Sequence, residues 1–170
     1  LKKNNLILKT LNTSDYSSKY YNWLKDIKIN KFLETRHKKN TKRDIINFIE
    51  LNYKSKNVYF FGIFVNKISK SNHIGNIKIG PINNNHKYAY ISYFIGDTDY
   101  WGKGYASLSV NMITSFAFKK LKLNKCLAGV YSSNKSSIKV LKKNGYIKEG
   151  NLKTQLFSEN LYEDEYIYSC

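Results

Sequence analysis

The sequence predicts one α/β domain over residues 1–170, a mixed and mostly antiparallel twisted sheet of about six to seven strands with helices on both faces. Three observations predict it. The length of 170 residues suits one domain and is enough to bury a real core without disulfide or metal staples. The composition, 42% hydrophobic and 15% aromatic, is that of a globular chain. Apolar segments run in the order strand, two helices, three strands, helix, strand, helix, two strands, which a mixed sheet covered on both faces accommodates.

Each element has a local reason. Leu6 to Leu11 reads as the first strand. Thr13, Ser14 and Asp15 carry helix-start chemistry, and Tyr16, Tyr20, Trp23, Leu24 and Ile27 follow at helical spacing as a core stripe. Thr41 and Asp44 form a capping box in which Asp replaces the usual Glu or Gln. Ile45, Phe48, Ile49 and Asn52 or Tyr53 then line one face of the second helix. Val58 to Val65 is continuously apolar, as in a strand covered on both faces. Ile74 to Ile79 and Tyr88 to Ile95 follow across the turn Pro81 to His86, so antiparallel pairing is expected. Val110, Ile113, Ala117 and Leu121 mark a helix, Cys126 to Tyr131 a strand, and Ile138 and Leu141 a further helix stopped at Asn144-Gly145. Tyr146 to Glu149 and Tyr162 to Tyr168 read as the last strands, with a loop from Asn151 to Leu161 between them.

Charge and special residues narrow the function classes. The 29 Lys and Arg against 12 Asp and Glu leave +17. Only Arg36 and Arg43 are arginines, and the lysines are scattered. Scattered lysines chiefly solvate a surface, although such a field also draws in phosphate-bearing ligands. Sequence-specific DNA reading leans on arginine forks, so no specific nucleic acid is expected. A non-enzymatic basic module that binds RNA or another polyanion is the competing reading, with tyrosines as stacking platforms. His37, His73 and His86 share no metal-ligand spacing, and no metal is expected. Cys126 and Cys170 make no disulfide framework, which favours a reducing, cytoplasmic setting. No apolar run approaches the ~20 residues of a membrane span.

Trp101-Gly102-Lys103-Gly104-Tyr105-Ala106 is the sharpest chemical signal. Glycines 102 and 104 let the backbone approach a ligand with N–H groups outward, and the following helix aims its positive dipole end there. Lys103 adds charge. A phosphate cradle and a plain tight turn both explain the segment. It is neither a Walker loop nor a dinucleotide fingerprint, since Ser107 stands at the third glycine position.

Three patches carry a resemblance. The first is Ile91-Ser92-Tyr93-Phe94-Ile95-Gly96 followed by Tyr100 to Ala106. The second is Asn134 with Ser137, then Leu141-Lys142-Lys143-Asn144-Gly145-Tyr146. The third runs from Tyr21-Asn22-Trp23-Leu24 through Phe32-Leu33-Glu34-Thr35-Arg36. Together they resemble the GCN5-related N-acetyltransferase (GNAT) family, in the branch of the ribosomal-protein alanine acetyltransferases. Gly104 and Ala106 fit the family's Q/R-x-x-G-x-G/A motif; Trp101 replaces the usual Gln or Arg.

The resemblance implies an enzyme that moves the acetyl group of acetyl-CoA to a primary amine. It implies a central splay between the strand ending near Ile95 and the Cys126–Tyr131 strand. Pantetheine pairs there with backbone near Phe94 and Ile95, and Asn134 hydrogen-bonds the same region. The diphosphate rests on N–H groups of Gly102, Lys103, Gly104, Tyr105 and Ala106 beside Trp101, with Lys103, Lys139, Lys142 or Lys143 near the nucleotide phosphates. A backbone N–H near Ile95 serves the developing negative charge.

The tyrosine many members place seven residues after the Asn is Leu141 here, leaving Ser137 as the candidate proton donor or simply a helix-start serine. The usual strand glutamate is Tyr90, leaving Glu34 as the candidate base through a water, or as an ion-pair partner of Arg36. Tyr93 lines the acceptor site or packs in its strand. The expected acceptor is a small-molecule amine such as an amino sugar on a nucleotide carrier; a protein N-terminus is the alternative, and a member that binds CoA without turnover a third. The 151–161 loop is expected to border the acceptor, and the protein to be a monomer or homodimer.

Overall fold

A computed structural model describes residues 1–66 and 71–170. The strands are β1 (Lys2–Lys3), β2 (Leu6–Thr10), β3 (Tyr59–Asn66), β4 (Ser71–Ile79), β5 (Tyr88–Ile95), β6 (Lys125–Tyr131), β7 (Ile147–Ser158) and β8 (Leu161–Ser169). The α-helices are α1 (Ser18–Lys25), α2 (Ile27–Asn30), α3 (Lys42–Lys54), α4 (Tyr105–Lys119) and α5 (Lys135–Lys143). Among the described residues the strands form one eight-stranded sheet in the order β1-β2-β3-β4-β5-β6-β8-β7. Every pairing is antiparallel except β5 with β6.

Two apolar clusters flank the sheet. One gathers Ile63, Ile77 and Ile91 under Val110, Ile113 and Ala117 of α4 and Leu141 of α5. The other gathers Leu11 and Phe60 under Tyr20, Trp23 and Leu24 of α1 and Ile45 and Ile49 of α3. Val110 and Ile113 are fully buried, so each contributes roughly 1.5–3 kcal/mol of transfer free energy. Ends are capped as expected at two helices. Thr41 Oγ1 accepts the Asp44 N–H at 3.2 Å and Asp44 Oδ2 accepts the Thr41 N–H at 2.9 Å, a reciprocal box typically worth ~1 kcal/mol. At the end of α5 the Tyr146 N–H reaches the Leu141 carbonyl and the Gly145 N–H the Lys142 carbonyl, which is a Schellman stop.

Several expectations need correction. The sheet has eight strands, because the two-residue β1 pairs with β2 and adds an edge. Thr13–Asp15 forms a short 3-10 turn capped by Asn12, and α1 begins only after Ser17, whose hydroxyl oxygen takes the Tyr20 N–H. Ile27 opens α2 instead of ending the stripe and is 66% exposed. Residues Asn151 to Ser158 are strand, because β7 runs on in a hairpin with β8. That stretch is mostly exposed, and its apolar residues Leu152, Leu156 and Phe157 do not alternate with polar ones, so it lacks the pattern that marks a half-buried strand.

Candidate active site

The site begins where the sheet comes apart. β5 and β6 pair only over Tyr88–Tyr90 and Lys125–Leu127. Beyond that each keeps its outer partner, Ile95 opposite Gly75 of β4 and Tyr131 opposite Glu165 of β8. The strand edges between them are left without a ladder. The Tyr90 carbonyl accepts from Gly80 N–H, and Gly96 N–H donates to the Ile74 carbonyl, so even-numbered residues of β5 turn their main chain toward β4. Alternation then aims the main-chain groups of Ile91, Tyr93 and Ile95 into the gap. Phe94 therefore spends its backbone on Asn76 of β4, and its ring packs edge-on against Trp23 of α1 at the border of the site. The Ile95 carbonyl is also engaged, by the Trp101 indole N–H at 2.7 Å. A cavity of about 690 Å³ occupies the gap, with Glu34, Tyr93, Phe94, Asn134, Ser137 and Glu165 among its lining.

At one end lies the Trp101–Ala106 segment. Gly102 and Gly104 have φ of +71° and +83°, the left-handed region that glycine adopts without strain. Gly104 is the N-cap of α4 and offers no side-chain cap, so the first N–H groups of the helix remain open donors. Nothing lies within 4 Å of where a side chain would begin at either glycine. Backbone donors, open space and the helix dipole fit a diphosphate. Lys103 is exposed, with its ammonium 5.9 Å from the Tyr100 ring centre. The Asn144 amide donates to Ser107 Oγ at 3.0 Å, tying the end of α5 to the first turn of α4. Exposed Lys142 and Lys143 are thereby held beside the cradle, while Lys139 lies one turn back.

One wall of the cleft carries hydroxyls. Asn134 caps α5, its side-chain oxygen accepting the Ser137 N–H at 3.1 Å and the Ser136 hydroxyl at 2.8 Å. Its amide N–H groups are left for a ligand. Ser137 Oγ lies 2.8 Å from the Tyr93 hydroxyl. Burial pushes the Tyr93 phenol up to about 12, outweighing the Ser137 bond that lowers it, so this pair stays protonated near neutral pH.

The opposite wall carries carboxylates. Glu34 does not pair directly with Arg36. The Tyr131 hydroxyl stands between them, donating to Glu34 Oε1 at 2.5 Å and accepting from Arg36 Nη2 at 3.0 Å. Arg36 also donates to the Phe157 carbonyl at 2.5 Å and to the Lys31 carbonyl, which fixes the 3-10 turn Glu34–His37 against the β7–β8 hairpin. Burial and then Glu34 raise the Tyr131 phenol to about 12, against Arg36. Glu165, half-buried, is held above the usual carboxylate range by burial first and the Glu34 charge second. Tyr131 and Glu165 escaped the sequence reading; both lie within predicted strands, and the acidic run Glu163-Asp164-Glu165 in an apolar strand was the signal.

Of the residues singled out from sequence, Glu34, Tyr93, Phe94, Asn134 and Ser137 meet in the cavity. The Trp101–Ala106 group stands outside its lining and is tied by the Trp101 indole to Ile95 at the end of β5. Among the described residues no cluster of three or more His, Cys, Asp or Glu could hold a metal ion, and no helix is long and apolar enough to cross a membrane.

Known proteins share this architecture. An acetyltransferase of the GNAT family from Bacillus anthracis superposes with a TM-score of 0.83 at 24% identity, covering 99% of this chain and 96% of that one. Spermidine N-acetyltransferase from Vibrio cholerae, in complex with CoA and spermine, superposes at 0.84 with 19% identity, covering 98% and 95%. At these identities the likeness is one of fold. In sequence, the probable N-acetyltransferase YjcK of Bacillus subtilis is 34% identical over 110 residues, 64% of this chain and 59% of its own length. The spermidine N(1)-acetyltransferase of Vibrio cholerae is 28% identical over 101 residues, 59% of this chain and 58% of its own length. The matched stretch thus spans a little over half of these relatives. Residues 5–147 match the family described as the acetyltransferase (GNAT) domain, and the chain belongs to that family.

Proposed function

We propose that this protein acetylates a primary amine of a small molecule at the expense of acetyl-CoA, both substrates meeting in the β5–β6 gap. The observation that carries the reading is a diphosphate-fitting cradle that follows directly on β5, the strand whose open edge borders a cavity lined by hydroxyls on one wall and carboxylates on the other. Bound acetyl-CoA supplies an activated thioester. The open N–H groups from Gly102 to Ala106 hold its diphosphate. Tyr93 main chain and the Asn134 amide pair with the pantetheine, a half-strand laid on an open sheet edge. The Ile95 N–H is aimed at the gap and serves developing negative charge, with no reorganisation needed. Ser137, backed by Tyr93, holds a proton for the departing sulfur, since a free thiol ionises near ~8.5. Positioning of the two substrates supplies much of the rate.

The acceptor is identified only by class. An ammonium is drawn toward Glu34 and Glu165, and the +17 surface also suits an acceptor with phosphates of its own. Amino sugars on nucleotide carriers and polyamines are the two groups to test first, the second because a spermidine acetyltransferase is among the relatives. Placement beside the ribosomal-protein branch rests on the Asn134–Tyr146 and Tyr21–Arg36 patches, so an N-terminal peptide belongs in the panel.

The test is calorimetric titration with acetyl-CoA, with ATP as a polyanion control. Saturable binding of acetyl-CoA, with ATP much weaker, is expected. Equal weak binding of both would assign the interaction to bulk charge and defeat the proposal. An acceptor panel of spermidine, glucosamine, an amino-sugar nucleotide and the N-terminal peptide then decides the class. Turnover on the peptide alone would sink the small-molecule reading.

A further inference from the structure

We infer that Glu165 is the residue that takes the proton from the acceptor ammonium, a catalytic base lodged on β8 and brought into the cleft across β6. The inference rests on the acetyltransferase reading above and deepens it. An ammonium has no lone pair, so one N–H bond must break before the amine can attack. The proton passes to a Glu165 carboxylate oxygen, leaving a neutral amine and a carboxylic acid that later returns the proton to water.

Geometry carries the assignment. Glu165 sits opposite Tyr131 in the β6–β8 ladder, on the side of the strand away from the gap. Its carboxylate reaches the cavity because Gly129, two residues before Tyr131, has no side chain. A Cβ at Gly129 would overlap Glu165 Oε1 outright. The carboxylate therefore lies over β6 in the place a side chain would fill, and lines the cleft from there. Any other residue at 129 would push it off the strand.

Glu165 is also uncommitted. No hydrogen bond or ion pair joins it to another described residue, whereas its neighbours are engaged: Glu163 accepts from Ser132 and Ser133, Asp164 pairs with Lys153, and Glu34 accepts from Tyr131. The charged groups facing the same cavity are Glu34 and Lys38 beside the 3-10 turn and Lys78 of β4, with Arg36 over the Tyr131 ring. The phenols facing it are Tyr20, Tyr93 and Tyr131. Half-burial and the Glu34 charge hold Glu165 above the ordinary carboxylate range, the direction that suits a base working near neutral pH. Glu34, which remains exposed and tied to Tyr131, raises Glu165 and orients the wall.

Glu165→Gln keeps the shape and removes the basicity. With acetyl-CoA and either spermidine or glucosamine, kcat is expected to fall about 100-fold at pH 7. The deficit should shrink as pH rises toward the acceptor's own pKa, while acetyl-CoA affinity by calorimetry stays the same. The wild-type profile should lose activity on the acid side as Glu165 takes up its proton, and that limb should be gone in Glu165→Gln. Gly129→Ala should move turnover in the same direction. A kcat within threefold of wild type, or a rise in KM alone, would overturn the assignment. Carboxyl-carbon NMR titration of the unliganded protein decides the matter without turnover. Glu165 should titrate above an ordinary glutamate and drop toward it in Glu34→Gln, and titration at or below the ordinary value would overturn the base. Failure of wild type to bind acetyl-CoA would instead count against the acetyltransferase reading, so the two failures are separable.

Discussion

The cradle beside the cleft and the cleft's carboxylate wall are built by opposite means. The β5–α4 side works with main chain: glycines in the left-handed region, open helix N–H groups and one indole clamp, all within residues 95–107. The β6–β8 wall works with side chains drawn from three separated parts of the chain, Glu34 and Arg36, then Tyr131, then Glu165. A main-chain site needs only a local conformation. A side-chain site needs the whole sheet assembled first. The difference predicts that the cradle governs cofactor affinity and the carboxylate wall governs turnover, and each can be broken without the other.

The largest effect is expected from Gly104→Glu. It places bulk and negative charge at the cradle and forces a non-glycine residue to a φ of +83°. Acetyl-CoA affinity by calorimetry should fall by ~100-fold or more, since charge repulsion and lost N–H contacts act together. Unchanged affinity with an unchanged circular dichroism spectrum would show that the diphosphate sits elsewhere.

Glu34→Gln tests the carboxylate wall. Turnover should fall by ~10-fold, less than for the base itself because Glu34 acts through Tyr131 and Glu165. Acetyl-CoA affinity should stay within twofold. Equal turnover in both proteins would return Glu34 to holding the 3-10 turn in place. The sign of the pH effect also follows. Glu165 is lifted partly by Glu34, so removing that charge should move the acid limb of kcat/KM to lower pH.

Trp101→Phe asks whether the clamp matters. It deletes the indole donor to the Ile95 carbonyl, a neutral hydrogen bond worth about 1 kcal/mol, so affinity should drop by ~5-fold. Turnover at saturating acetyl-CoA should change little. A larger fall in turnover than in affinity would mean that Ile95 sets reaction geometry as well as binding. The smallest effect belongs to Lys103→Ala. An exposed ammonium contributes modestly to phosphate binding, so affinity should fall by ~2–3-fold and the gap should close as salt is raised. A salt-independent loss would show a fixed contact instead of a mobile charge.

The asymmetry between cradle and wall also explains what could be read in advance. The cradle was legible because Gly102, Lys103 and Gly104 are neighbours ahead of a helical pattern. Asn134 entered through the family resemblance, and its cap is equally local, since its partners Ser136 and Ser137 lie within three residues. Phe94 and Ile95 were placed at the cleft, but which of them turns its main chain inward depends on the register with β4, set by contacts such as Gly80 with Tyr90. Glu34 was singled out, yet its expected partner Arg36 is reached only through a tyrosine 97 residues away.

The amino-acid sequence by itself determined the order of the main strands and helices, the Thr41–Asp44 cap, the Asn144–Gly145 stop, the buried residues of α1 and α4, and the glycine cradle. Those rest on short-range chemistry: side-chain periodicity, N-cap hydrogen bonds and backbone dihedral preference. Tertiary structure alone decided the split between β5 and β6, the length of the β7–β8 hairpin and the meeting of Glu34, Tyr131 and Glu165. Each depends on which strand edges find partners, and edge pairing is a property of the assembled sheet that no window of neighbouring residues contains. Gly129 joins the two levels. In sequence it is a small residue in an apolar strand; in the sheet it is the space through which a carboxylate two strands from β5 enters the cleft.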